Sequence, residues 1–295
     1  ENTLLPARES RDRAWADLSE DEKAVFARYM AVYAGFIEHC DRQIGRLLDA
    51  LRDRMALDNT IIVLLSDNGA ASEAGQAGFF DGLYRANTAT PAQQRARLDE
   101  LGTGKTQAEY PRPWAMAGDT PLRRYKLWPY SGGTRTPMIF HWPRMVRDGR
   151  QFVDVIDIAP TLLEAAQARF DATVEGVPQI PVAGKSFLPT VRSRKAPGRQ
   201  VQYFELRGNR AITSGRWRAV ALHDCDQPYA NDRWELFDLD SDFSESTDLA
   251  SRYPAKVAEM KRLWDAQWAM YGSGALAQPG ALPCRYSDMF DRRPE

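Results

Sequence analysis

The sequence predicts an α/β fold: a mostly parallel sheet covered by helices, followed after about residue 200 by a small α+β subdomain. Three stretches carry that prediction. The first is Thr60-Ile61-Ile62-Val63-Leu64-Leu65-Ser66-Asp67-Asn68-Gly69, an apolar run that ends abruptly in a carboxylate, an amide and a glycine. A short run rich in β-branched residues and closed by a turn signal reads as a strand buried on both faces, and such strands belong mainly to parallel sheets. The second is a stripe of Val25, Tyr29, Val32, Tyr33, Phe36, Ile37, Cys40, Ile44, Leu47, Leu48 and Leu51. These positions step by three and four, which is the apolar face of a helix laid on a core. The third is a set of short strand-like runs, Val201–Leu206, Arg216–Leu222 and Trp234–Leu239, then a helical pattern of Val257, Met260, Leu263, Trp264 and Trp268. Hairpin spacing followed by a packing helix describes an α+β unit.

Composition sets the bounds. The chain has 295 residues, 43% hydrophobic and 27% charged, enough for one large α/β domain or a core with an appendage. A net charge of −1 gives no reason to expect nucleic acid or an anionic membrane as partner. No apolar run approaches the ~20 residues of a membrane span. Cys40, Cys225 and Cys284 are odd in number and far apart, with neither a CxxC pattern nor a disulfide framework, and read as isolated thiols. The chain opens on Glu1-Asn2-Thr3-Leu4 with no methionine, leader or cleavage pattern, and reads as the middle of something longer. The compartment is therefore not legible, with periplasm and cytoplasm both open.

In chain order, Ser19-Glu20-Asp21-Glu22 is a capping box that opens the long helix, which runs to about Leu51. Met55–Asn59 connects it to the opening strand. At the end of that strand, Asp67-Asn68-Gly69 suits a turn. It also places two hard oxygen side chains at the carboxyl end of a sheet strand, where ligands gather and where Ca²⁺ or Mg²⁺ could be held. From Ala70 to about Arg124 periodicity dissolves, apart from a helical patch near Ala92–Leu101; a loop this long is expected to be a lid or binding loop. Its Phe79, Phe80, Tyr84, Tyr110 and Trp114 are either contact surfaces for an organic group or anchors to the body. Lys126 precedes the Gly132-Gly133 turn, where it is either a point charge for an oxyanion or a solvated surface lysine. Pro137 starts a short strand that Pro143 stops; His141 alternates within it as a structural histidine. Asp157 caps a helix with Pro160 in its first turn, and a Pro/Gly-rich passage from Gly176 to Gly198 leads to the C-terminal strands.

Taken in order, these pieces resemble the sulfatase family. The resemblance rests on Ser66-Asp67-Asn68-Gly69 after its strand, Lys126 with Gly132-Gly133-Thr134-Arg135-Thr136-Pro137, and Asp157-Ile158-Ala159-Pro160-Thr161-Leu162-Leu163. It continues through Gly184-Lys185-Ser186-Phe187-Leu188-Pro189, Arg216-Trp217-Arg218-Ala219-Val220 and Trp234-Glu235-Leu236-Phe237-Asp238-Leu239. The Trp114–Lys126 segment is most similar to bacterial type I alkyl/aryl sulfatases. Six ordered motifs across Ser19 to Tyr271 make the resemblance specific where any one would be weak.

The resemblance implies an alkaline-phosphatase-like α/β sandwich, here residues 1–200 as the later part of the catalytic domain and 201–295 as a subdomain with a small antiparallel sheet. It implies hydrolysis of a sulfate ester at a Ca²⁺ site (Mg²⁺ less so), with Asp67 and Asn68 matching the family's metal pair and Lys126 its sulfate-contacting lysine. One large departure stands out. Sulfatases attack with formylglycine made from a Cys/Ser-x-Pro-x-Arg motif, and no Pro-x-Arg frame here supplies either residue, those beginning at Asp119, Lys195 and Ala281 included. His39, His141 and His223 do not stand in the family's histidine contexts. The chain thus resembles the C-terminal half of a sulfatase. An N-terminal sulfatase fragment or chain is the expected partner, bringing the nucleophile and covering an otherwise exposed apolar face. A phosphonate or phosphodiester hydrolase of the same superfamily and a non-catalytic structural subunit are the alternative readings.

Overall fold

A computed structural model describes residues 4–9, 12–81, 89–146, 151–193, 195–224, 227–272 and 276. Tyr84, Cys225 and Cys284 lie outside the described residues.

Helix α1 spans Glu20–Asp53. The predicted capping box forms: Ser19 Oγ accepts from Glu22 N–H at 3.2 Å and Glu22 Oε2 accepts from Ser19 N–H at 2.8 Å, satisfying two otherwise orphaned donors. Only the first turns are buried, with Val25, Phe26 and Tyr29 joining Leu18, Phe80 and Leu101 in one cluster. Tyr33 then packs edge-on against Tyr110 at 5.1 Å. Beyond it the stripe does not meet the predicted core: Phe36 and Leu47 are each 61% exposed, and Gly35 and Gly45 have open space beside them.

The α/β class holds, but the strand pairing differs from prediction. Strand β1, Ile62–Leu65, pairs antiparallel with β2, Met138–His141, in a register running from Ile62↔His141 to Leu65↔Met138. Every strand pairing among the described residues is antiparallel. Leu64 and Leu65 are exposed rather than buried on both faces. A four-residue apolar strand does not encode the direction of its neighbour; here the segment after Pro137 supplies it. His141 is exposed on β2, which corrects its reading as a satisfied structural histidine.

The described residues of the 70–124 stretch form a packed structure with short helices of their own. Thr90 caps α2, Pro91–Arg95, a 3₁₀ turn covers Leu98–Glu100, and α3, Arg112–Gly118, was not predicted. Phe80 and Trp114 are anchors: Phe80 is buried beneath α1, and Trp114 Nε1 donates to Phe26 O at 2.9 Å. Arg112 and Asp12 form a buried ion pair, Nε to Oδ1 2.9 Å. The Gly132-Gly133 turn is a short helix, α4, Ser131–Thr134.

Helix α5, Ile158–Ala165, follows Asp157 as predicted, yet the Asp157 side chain does not cap it. Its oxygens accept instead from Lys185 N–H at 2.7 Å and Arg199 Nε at 2.9 Å. The Pro/Gly-rich passage holds a two-residue-strand hairpin, β3 Thr173–Val174 with β4 Val177–Pro178, and helix α6, Leu188–Arg192.

The C-terminal sheet has four strands in order β5 (Val201–Leu206), β6 (Asn209–Ser214), β7 (Trp217–Ala221) and β8 (Trp234–Asp238). The unpredicted β6 is reached through Arg207-Gly208, both at positive φ (56° and 87°), the geometry of a tight two-residue hairpin. Side chains alternate across the sheet. Ile212, Ala219 and Leu236 pack with Met260 and Trp264 of α7, Pro254–Tyr271. Ala211, Val220 and Phe237 pack on Tyr130, immediately before α4.

Candidate active site

Antiparallel pairing of β1 with β2 brings the residues after β1 and those before β2 to the same end of the ribbon. The ladder continues past the strands: Ser66 N–H donates to Pro137 O at 3.4 Å and Thr136 Oγ1 to Ser66 O at 2.8 Å. Gly69 then lies against Gly132, where an added Cβ would fall 1.7 Å from Gly132 O. A Cβ on Gly132 would fall 2.0 Å from Arg124 O. Both glycines are required by close backbone approach, and together they seat the Asp67-Asn68 loop on the turn that carries Lys126. Lys126 N–H donates to Ala70 O at 3.1 Å, closing the junction.

The structure therefore brings the Ser66–Ala70 loop and the main chain at Lys126 together. Asp67 is exposed, its carboxylate has no hydrogen-bond partner among the described residues, and it lines a groove of about 1350 Å³ with Ser66, Arg135 and Thr136. Asn68 donates through Nδ2 to Gly69 O at 2.8 Å, leaving Oδ1 as a neutral oxygen donor. Lys126 forms an ion pair with Glu73, with side-chain exposures of 31% and 9%; neither Lys126 nor Asn68 lines the groove.

Several residues in this assembly had no signature in the sequence. Asp119 Oδ2 accepts Ala70 N–H at 2.9 Å, and burial pushes its carboxyl up to about 6 against that hydrogen bond. Glu109 is raised by burial and then by the charge of Glu73, with Lys126 opposing. On the C-terminal side, Glu245 is fully buried and accepts from Ser131 N–H at 2.8 Å and Ser131 Oγ at 2.9 Å. It pairs with Arg218 Nε at 2.7 Å. Arg218 also donates to Pro129 O at 2.5 Å and Thr134 Oγ1 at 2.7 Å, so one buried ion pair holds both ends of α4. These residues meet only through tertiary folding; no local spacing announces them.

The donor chemistry can be tested against a metal ion. One carboxylate with no protein partner and one neutral amide oxygen, adjacent on a loop, are hard oxygen donors of the kind Ca²⁺ takes. Among the described residues no group of three or more His, Cys, Asp or Glu side chains converges as a metal site. The pair thus fits a share of a Ca²⁺ shell of six to eight oxygens.

The Sulfatase family model matches residues 6–168, and the model for N-sulphoglucosamine sulphohydrolase, C-terminal, matches residues 124–266. An uncharacterized sulfatase of Schizosaccharomyces pombe is 30% identical over 85% of this chain and 45% of its own length. An arylsulfatase of Klebsiella aerogenes is 30% identical over 70% of this chain and 43% of its own. The chain spans less than half the length of these relatives. Among solved structures, Ps i-CgsB superimposes with a TM-score of 0.53 at 23% identity, covering 94% of this chain and 48% of that one. A candidate sulfatase, yidJ, from Bacteroides fragilis gives 0.52 at 19% identity, covering 90% and 45%. These likenesses establish the fold as alkaline-phosphatase-like α/β.

Proposed function

The chain belongs to the sulfatase family, and from that premise we propose that it forms part of the active site of a sulfuric ester hydrolase of the arylsulfatase type. Asp67 and Asn68 are assigned to a divalent cation and Lys126 to the sulfate group. The observation that carries this reading is the Gly69–Gly132 contact, with the Ala70–Lys126 hydrogen bond beside it. Through it, a loop with two hard oxygen donors and a turn bearing an ammonium become one structure.

Ca²⁺ is favoured over Mg²⁺ because a mixed carboxylate and amide pair suits a flexible shell better than a strict octahedron. When bound, such an ion offsets negative charge on sulfuryl oxygens and on the attacking nucleophile. Asn68 adds an oxygen without adding charge. Lys126 contributes a fixed positive charge for a sulfuryl oxygen, the electrostatic share of the transfer. Glu73, its counter-ion, keeps that charge from standing alone in a largely buried setting.

The nucleophile is assigned to residues outside this sequence, since no cysteine or serine here precedes a Pro-x-Arg at the required spacing. Formylglycine is the proposed group, and the remaining metal ligands are assigned to the same amino-terminal portion. The exposed apolar residues of α1, β1 and β2 are where that portion is expected to pack.

Hydrolysis of 4-nitrophenyl sulfate by the assembled protein tests the reading. Asp67→Ala and Lys126→Ala are each expected to lower kcat/KM by roughly 10²–10³-fold, the range for removing one electrostatic group. Unchanged rates in both variants would assign the chain a non-catalytic role. Preference of the parent protein for a phenylphosphonate ester would move it to the phosphonate and phosphodiester hydrolases.

A further inference from the structure

We propose that Glu73 is a positioning residue for the sulfate-binding ammonium, fixing Lys126 from its buried side. This rests on the assignment of Lys126 to the sulfate group. Glu73 has little freedom of its own. Its Oε2 accepts the Ser72 N–H at 2.8 Å, and its Oε1 faces the Lys126 ammonium. Glu73 is the buried partner at 9% exposure, and Lys126 the accessible one at 31%.

The same short segment holds Lys126 at two points. Ala70 O accepts the Lys126 main-chain N–H at 3.1 Å, and Glu73, three residues on, takes the side chain. An aliphatic stem with several rotatable bonds is thereby reduced to one direction, which is what an electrostatic contact to a transition state requires. Among the described residues, the titratable groups whose charge state Glu73 bears on besides Lys126 include Glu109 and Tyr110. Glu109 is raised by burial first and by Glu73 second, and Tyr110 by burial first with Glu73 as a minor contributor. A carboxylate in contact with an ammonium favours the protonated amine.

The test combines kinetics with a measurement that does not need turnover. Glu73→Gln keeps an oxygen for the Ser72 N–H but removes the charge, and Glu73→Asp keeps the charge but withdraws it by one methylene. In the assembled protein, Glu73→Gln is expected to lower kcat more than it changes KM. The alkaline limb of kcat/KM should move down by about one pH unit, with Glu73→Asp intermediate. In parallel, competitive acetylation with acetic anhydride at mildly alkaline pH, read by mass spectrometry at Lys126, is expected to run about tenfold faster in Glu73→Gln than in the parent. If Glu73→Gln fails to fold by circular dichroism, Glu73→Asp should show both changes in the same direction at smaller size. Alkaline limbs and acetylation rates equal to the parent's in the folded variants would overturn the proposal. Full activity in Lys126→Ala would overturn the assignment of Lys126 instead, and the acetylation arm would still decide whether Glu73 controls its charge.

Discussion

Asp119 shows how a single side chain ties the site together and what that costs. Its carboxylate holds the Ala70 N–H across 49 residues of sequence, beside the Gly69–Gly132 contact. Burial raises it from 3.8 to about 6. An acid raised in the folded state binds its proton more tightly there than in the unfolded chain. Its contribution to stability is therefore complete below an ordinary aspartate value and is lost as pH rises through about 6. Asp119→Asn keeps an oxygen for the Ala70 N–H and removes the titration. The parent should lose more thermal stability than this variant between about pH 5 and about pH 7; equal losses would show that Asp119 does not titrate in that window. At this scale the sequence singles out Asp67, Asn68 and Lys126 as candidates, because their residue types stand in ordered, recognisable contexts. Glu73, Asp119 and Glu245 stay silent, since a lone acidic residue in a Gly- and Ala-rich loop has no meaning until the chain folds back on it.

Among the elements, the decisive one is the four-residue helix α4. It is built on close approach, and a Cβ at Gly132 would fall 2.0 Å from the Arg124 carbonyl oxygen. Gly132→Ala is expected to destabilise the chain by more than about 2 kcal/mol in urea unfolding, the range for overpacking against backbone. Gly35→Ala is the matched control. Gly35 lies within α1 with nothing within 4 Å of the added methyl, so the helix should gain about 0.5–1 kcal/mol. Equal effects at the two positions would contradict the reading of Gly132. Helix α1, the existence of α7 and the strands β5, β7 and β8 are legible because apolar periodicity and, for α1, a capping box are local signals. Strand β6 is not, because its polar ends, Asn209 and Ser214, resemble the turns on either side. Asp157 was assigned as a cap from its position alone. Its oxygens are taken instead by Lys185 N–H and Arg199, partners that lie 28 and 42 residues away.

At the scale of the molecule, two surfaces have opposite characters. The C-terminal sheet is closed, with α7 on one face and Tyr130 on the other, and the Glu245–Arg218 pair locks it to α4. The outer reach of α1 and the β1–β2 ribbon are open, with Phe36, Leu47, Leu64 and Ile139 exposed. We propose that the amino-terminal portion packs over these exposed residues. The resemblance placed the matching motifs of this chain in the later half of a sulfatase, and the relatives it matches are more than twice the length it covers. The strand-end loop thus changes meaning with scale: a turn as a triplet, a proposed metal-binding pair as a motif, and a proposed partial site within the whole domain. Hydrolysis of 4-nitrophenyl sulfate in the presence of Ca²⁺ tests this most directly, measured for the 295-residue chain alone and together with the amino-terminal portion of its sulfatase domain. The account predicts background rates for the chain alone and turnover for the combination, lost again in Asp67→Ala. Turnover by the chain alone at the rate of the combination would contradict it.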